Sequence, residues 1–438
     1  MPYLLNLIYI LLLLLLSPWI AAAALRKGKY REGHAEKFLG RVPRRTSDRR
    51  CIWFHAVSVG EVNLLAPLVE RLGQQLPDVE LVVSTTTKTG YAVAASRYAE
   101  HTVFYCPLDF SWAVRTAMGR IRPDVLVLAE LELWPNLVRA AVQQGARVAV
   151  VNARLGEKSF RGYRRIRPFV ARLLRQIDLV AAQNDVIAER FRTLGADAGT
   201  VHVTGSIKFD GAEMDRANPA TQKLCQRAGF AADDIVFLAG STQAPEEALA
   251  LEAYGRLQRQ FPRLRLVLVP RHPERFDEVA RLLKGAGLPF ARRSDWGEQP
   301  AGSTARILLV DQMGELGAWW GAARIAFVGG SLTQRGGQNM IEPAAYGAAL
   351  SFGPNTWNFR DIVSVLLAAE GAVVVKDGAE LEAFVRRCLA QPALADELGR
   401  RAQAVVQQQR GATDRTVALV RDLLAASANR PAATGRAA

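Results

Sequence analysis

Cysteine and histidine are scarce: 438 residues hold four of the first and five of the second. Cys51, Cys106, Cys225 and Cys388 lie far apart, with no CxxC pair and no Cys/His cluster. That argues against a zinc site or a disulfide framework and fits a reducing compartment. Acidic residues are outnumbered, 42 Asp and Glu against 56 Lys and Arg, for a formal charge of +14. The pI is near 10.0. Such a chain is drawn to polyanions: nucleic acid, acidic lipid or a phosphorylated substrate. The alternative is an arginine-rich solvated surface that reflects codon usage. No basic stripe interleaved with aromatics and no nucleic-acid motif is present, so nucleic acid is not an expected partner. Two nucleotide signatures are missing as well. There is no GxGxxG after the first strand and no GxxxxGK[ST], which disfavours NAD enzymes and P-loop ATPases. What is there is globular: 50% hydrophobic and 22% charged, with chain enough for two α/β domains.

Leu4 to Leu25 is an uncharged run. At ~1.5 Å per residue it is long enough for the ~30 Å hydrocarbon layer. Arg26, Lys27, Lys29 and Arg31 follow, which places that end and the rest of the chain on the cytoplasmic side. A signal peptide would carry its charge before the apolar stretch, although Ala21 to Ala24 resembles a cleavage region. Pro18 kinks a helix and allows an interfacial placement. The expectation is an uncleaved anchor over residues 1–25, at the cytoplasmic face of the cell inner membrane, against an anionic lipid surface.

Short apolar runs then alternate with helical patterns. Ile52–Val57, Leu81–Thr85, Val125–Ala129, Val148–Val151, Leu179–Ala182 and Val201–Thr204 read as strands, with a helix over Glu61–Leu76. Residues 209–219, rich in Gly, Asp, Asn and Pro, read as a linker. The pattern restarts with Ile235–Ala239, Leu264–Val269, Ile307–Val310, Ile325–Val328 and Val373–Val375. Continuous apolar strands separated by helices predict parallel sheets covered on both faces. The predicted fold is α/β, two doubly wound Rossmann-like domains over residues 26–212 and 213–426 facing across a cleft, then a frayed tail over 427–438. Ligands bind at the carboxyl ends of such strands.

Six runs carry possible chemistry. In Ser58-Val59-Gly60-Glu61, the glutamate sits in the first turn of a helix, where the helix end favours an ionised carboxylate able to take a proton from a hydroxyl. The same spacing equally reads as a capping box. In Glu130-Leu131-Glu132, strand alternation points both carboxylates to one side, for use or for salt bridges. Lys208, in Gly205-Ser206-Ile207-Lys208, offers charge to a phosphate or carboxylate, or is a solvated lysine at a hinge. Arg271, after Val269-Pro270, offers a fork for a phosphate, while His272 between prolines reads as a turn residue or a general acid. Met313-Gly314-Glu315 is a turn into a helix. Finally, Gly329-Gly330-Ser331 and Gly336-Gly337-Gln338-Asn339-Met340-Ile341-Glu342 bring backbone N–H groups toward a ligand. The helix opening near Asn339 offers a phosphate site, and Glu342 an acceptor for ribose hydroxyls.

The phrases HAVSVGE, ELELWPN, VNARL, AAQN, VTGSIKFD, VPRHPERF, MGEL and FVGGSL with GGQNMIEPAAYG, in this order behind an apolar N-terminus, resemble the Kdo transferase family. The likeness runs from the anchor to about residue 410. It implies the GT-B architecture and an inverting transfer of 3-deoxy-D-manno-octulosonic acid (Kdo) from CMP-Kdo to the lipid A precursor of lipopolysaccharide. No metal or cofactor is implied. It further implies that Glu61 is the catalytic base, with Glu130 and Lys208 stabilising the transition state. Pro270, Arg271, Met313, Gly314, Glu315, Asn339, Met340, Ile341 and Glu342 are implied to bind CMP. The chain departs from the family in Glu-Leu-Glu where Glu-Thr-Glu is usual, and in Gln-Asn-Met-Ile where His-Asn-Pro-Leu is common. Two other readings stand beside this one: a GT-B enzyme using another nucleotide sugar on a membrane lipid, and a non-catalytic nucleotide-binding scaffold.

Overall fold

A computed structural model describes residues 2–27, 32–297 and 305–427, and within the first helix the side chains of residues 3–17. The described residues form two compact units, one taking the chain to Asp210 plus the segment from Arg410, the other spanning Gly211–Gln409. Each holds a sheet of seven parallel strands.

The first unit's strands are β1 (Cys51–Ala56), β2 (Glu80–Thr85), β3 (Thr102–Tyr105), β4 (Val125–Ala129), β5 (Arg147–Ala153), β6 (Leu179–Ala182) and β7 (Val201–Val203), in spatial order β3-β2-β1-β4-β5-β6-β7. Both faces are apolar. Trp53, Leu126, Leu128, Val148 and Val150 pack on one side, and Ile52, Phe54, Val125, Val127, Ala149 and Val151 on the other. Successive side chains of a strand point to opposite faces, so a sheet covered on both sides requires an unbroken apolar run. The order reverses between β1 and β4, which register with Phe54 opposite Val127. In open α/β sheets ligands gather at the carboxyl ends flanking such a reversal.

The helix Ala412–Ser427 belongs to this unit, whereas the sequence reading carries the second domain to residue 426. Its Val417, Val420 and Leu424 enter the same buried layer as Phe54 and Val127. Asp210 accepts hydrogen bonds from the Gly411 and Thr413 N–H groups and so caps its start. Burial decides the membership, because this apolar face covers the first sheet.

The second unit contains β8 (Ile235–Thr242), β9 (Leu264–Pro270), β10 (Phe290–Arg292), β11 (Ile307–Leu309), β12 (Ile325–Val328), β13 (Ala349–Phe352) and β14 (Ala372–Val374), in order β10-β11-β9-β8-β12-β13-β14. Its reversal lies between β8 and β12, where Ala239 registers with Phe327.

A helix spans Pro2–Lys27. Among the described residues no helix is long and apolar enough to cross a membrane. Lys29, Arg31 and the tail beyond Ser427 lie outside the described residues, as do the side chains of Arg26 and Lys27.

Candidate active site

Glu61 stands where β1 hands over to the helix Val59–Gln75. Its Oε2 accepts the Val57 N–H at 2.8 Å and its Oε1 the Ser58 hydroxyl at 3.0 Å. The Glu61 N–H returns a long bond of 3.5 Å to Ser58 Oγ. The capping reading is therefore correct in structure, and it fixes both oxygens of the carboxylate at the carboxyl end of β1. Burial pushes the Glu61 carboxyl above the usual glutamate range, the two hydrogen bonds pull it back, the Glu130 charge adds to the rise and Lys208 opposes it.

Glu130 follows β4, the neighbour of β1 across the reversal. It adopts a left-handed backbone, φ 51°, which a non-glycine residue keeps only when its surroundings enforce it. The enforcement is visible: its N–H donates to Val151 O at 2.9 Å and its carbonyl accepts from Arg154 N at 3.3 Å. The twist sends the carboxylate to Lys208, whose Nζ lies 2.8 Å from Glu130 Oε1. The expected strand alternation of Glu130 and Glu132 does not hold, because β4 ends at Ala129. Glu132 instead accepts the Trp134 indole N–H at 2.9 Å. Burial raises its carboxyl, and the Glu61 charge adds to the rise.

Lys208 is carried by a 3-10 turn, Ile207–Phe209. Asn152, fully buried and itself left-handed at φ 50°, accepts the Ile207 N–H on Oδ1 at 3.1 Å. Gln183 Nε2 donates to the Asn152 carbonyl at 3.0 Å. Asn152 and Gln183, which lie in the VNARL and AAQN phrases without an assigned role, thus support the Lys208 turn. Nothing in their local spacing signals this, since the contacts span 55 and 31 residues.

In the second unit Pro270 ends β9 and Arg271 follows, exposed, with its N–H on Thr242 O at 3.1 Å. His272 begins a 3-10 turn whose Arg275 is tied to the buried Glu247 at 2.5 Å, which supports the turn reading of that histidine. Met313 is 56% exposed, and Gly314 turns the chain at φ 90°. Glu315 is held by both arms of Arg293, at 2.7 and 2.9 Å. Asn339 donates to Glu342 at 2.9 Å and accepts the Ile341 N–H at 3.0 Å. Burial raises the Glu342 carboxyl.

Two expectations change here. The helix at Ile341 is five residues long, too short for a strong terminal dipole, and its first N–H is taken by Asn339. Met340 and Ile341 are buried, which withdraws their side chains from a ligand. The Gly330, Ser331 and Leu332 N–H groups are also taken, by the fully buried Glu246 carboxylate at 2.7 to 3.0 Å. That residue also accepts the Gln243 N–H at 2.9 Å, so it ties the turn after β8 to the turn after β12. Gly329 permits the approach: a Cβ there would lie 2.5 Å from Thr242 Cα. Sequence reasoning missed Glu246, and the only signal was a Glu-Glu pair opening the helix after β8.

Residues 32–211 match the model of the 3-deoxy-D-manno-octulosonic-acid transferase (kdotransferase) family. A 3-deoxy-D-manno-octulosonic acid transferase of Haemophilus influenzae is 33% identical over 95% of this chain and 98% of its own. The chain belongs to the Kdo transferase family. The enzyme of the same description from Bordetella pertussis is 37% identical, over 85% of this chain and 87% of its own. This Kdo transferase homologue is accordingly a glycosyltransferase. Its fold is also that of a UDP-GlcNAc 2-epimerase from Neisseria meningitidis, with a TM-score of 0.57, 12% identity, and coverage of 85% of this chain and all of the other. Two parallel-sheet α/β units of the GT-B kind are thus common to both.

Proposed function

We propose that the protein moves Kdo from CMP-Kdo to a hydroxyl of the lipid A precursor with inversion, and that Glu61 is the base. The observation that carries this is the clamped Glu61 carboxylate, in the electrostatic reach of the Glu130–Lys208 pair. Glu61 takes the proton of a primary hydroxyl on the glucosamine disaccharide. That oxygen forms a bond to the anomeric carbon of Kdo as the bond from that carbon to the phosphate oxygen breaks. CMP leaves with the electron pair. Lys208, oriented by Glu130, supplies positive charge to the transition state, and Arg271 offers its guanidinium to the CMP phosphate. Pro270, Met313, Gly314, Glu315, Asn339, Met340, Ile341 and Glu342 complete the CMP set. Positioned base catalysis contributes ~10²–10⁴-fold. The reaction is metal-independent, because these cations meet the leaving charge.

The reading extends to the membrane. The N-terminal helix anchors the enzyme at the cytoplasmic face of the inner membrane, with its apolar side in lipid. Leu4, Leu7, Leu11, Leu14 and Leu15 are all exposed on the protein, which supports this. A donor screen tests the assignment. CMP-Kdo, other CMP-sugars and UDP-sugars are each incubated with the acceptor and the products weighed by mass spectrometry. Addition of Kdo mass from CMP-Kdo alone is expected. Transfer from a UDP-sugar with none from CMP-Kdo overturns it.

A further inference from the structure

The N-terminal helix is fastened to the first unit by polar contacts. Asn6 Nδ2 donates to Ser111 Oγ at 2.7 Å, and Asn6 Oδ1 accepts the Ser111 N–H at 3.0 Å. Tyr9 donates to Asp109 at 3.1 Å. Asp109 in turn accepts the Asn136 and Leu137 N–H groups and caps the helix Pro135–Gln143. Beside this joint is a cavity of about 320 Å³, lined by Tyr3, Ser111, Arg115, Asn136, Arg139 and Gln143. Arg115 and Arg139 are exposed, one on the helix Ser111–Ile121 and one on Pro135–Gln143. Among the described residues neither guanidinium has a carboxylate within ion-pair distance, whereas Arg45, Arg147 and Arg190 of the same unit are each paired. Trp112, Phe38 and Leu39 are exposed nearby, and the Trp112 indole donates to Phe38 O.

We propose that this cavity is a headgroup site for an anionic phospholipid of the bilayer. Arg115 and Arg139 take the phosphate, Gln143 and Tyr3 border it, and the acyl chains run along the apolar side of the N-terminal helix. Charge complementarity selects the occupant. Two unpaired guanidinium forks match a phosphate, and the adjoining exposed leucines match hydrocarbon rather than a soluble anion. Trp112 has the amphipathic ring favoured at the headgroup level. The proposal rests on the membrane-anchor reading above and adds lipid selectivity to it.

The test uses the full chain and vesicle sedimentation. Wild-type protein is expected to bind phosphatidylcholine vesicles through the N-terminal helix, and to bind on the order of tenfold tighter when phosphatidylglycerol is included. Arg115→Gln/Arg139→Gln should keep the first binding and lose the tightening. Arg281→Gln/Lys284→Gln, which removes equal charge from exposed positions of the second unit, should keep both. Tightening that survives in the Arg115/Arg139 variant, or that is lost equally in the control, overturns the site. So does a raised KM for detergent-dispersed acceptor in the Arg115/Arg139 variant, because the pocket would then hold the acceptor's own phosphate. If wild type ignores uncharged vesicles yet tightens on acidic ones only with both arginines, the anchor reading falls and the headgroup site stands.

Discussion

Two local roles coincide in one carboxylate. Glu61 caps a helix, and the donors that satisfy the cap also favour its ionised form against the burial that opposes it. Its raised carboxyl has a directional consequence. Only the ionised form accepts a proton, so the acid limb of kcat/KM should lie at higher pH than an ordinary glutamate would give. The neighbours predict opposite displacements of that limb. Lys208→Met removes a charge that lowers Glu61 and should move the limb to higher pH. Glu130→Gln removes one that raises it and should move the limb to lower pH. Both variants should also lose rate, on the order of 10²-fold, as removal of a transition-state contact does. Limbs that stay fixed in both variants would separate Glu61 from this pair.

The elements show which parts of the protein a reader of the sequence can see. β1 and β4 are buried on both sides, and their unbroken apolar runs announce them. β3 and β10 do not, because they are edge strands that are only partly buried and lack a continuous apolar run, and β13 does not, because Ala349–Phe352 follows a stretch of Gly and Ala. The site divides in the same way. The placement of Glu61 and Arg271 after strands was legible because a strand end is a local event. The left-handed turn at Glu130 was not, because glutamate rarely adopts one, and that at Asn152 was not, because the asparagine stands inside the strand Arg147–Ala153 and not in a run of turn residues. Glu246 was invisible for a third reason: three of its four partners are about 85 residues away. Two stability predictions follow from these long-range ties. Glu246→Ala would leave four backbone N–H groups unpaired and should cost about 3 kcal/mol or more in denaturant unfolding. Asp210→Ala removes the cap of the C-terminal helix and should cost about 1 kcal/mol, with faster amide exchange at the start of that helix. Unchanged exchange there would mean that packing alone holds the helix.

At the scale of the whole molecule, the chain returns to its first unit after completing the second, and the C-terminal helix closes a face of the first sheet. The carboxylates proposed for catalysis lie in one unit and the proposed CMP set in the other, with Glu61 and Arg271 each following a strand's carboxyl end. If cationic side chains alone meet the leaving charge, transfer should be unchanged after dialysis against EDTA, as followed by CMP release. A loss restored by a divalent cation would contradict that part of the mechanism. The central claim, that Glu61 is the base of a Kdo transfer, is tested most directly by Glu61→Gln. The amide oxygen retains an acceptor for the Val57 N–H but takes no proton. Wild type and variant are incubated with CMP-Kdo and lipid A precursor, and the product is weighed, with CMP affinity measured in parallel. The account predicts Kdo-bearing product from wild type, none above background from the variant, and equal CMP binding by both. Near-normal product from the variant would contradict it.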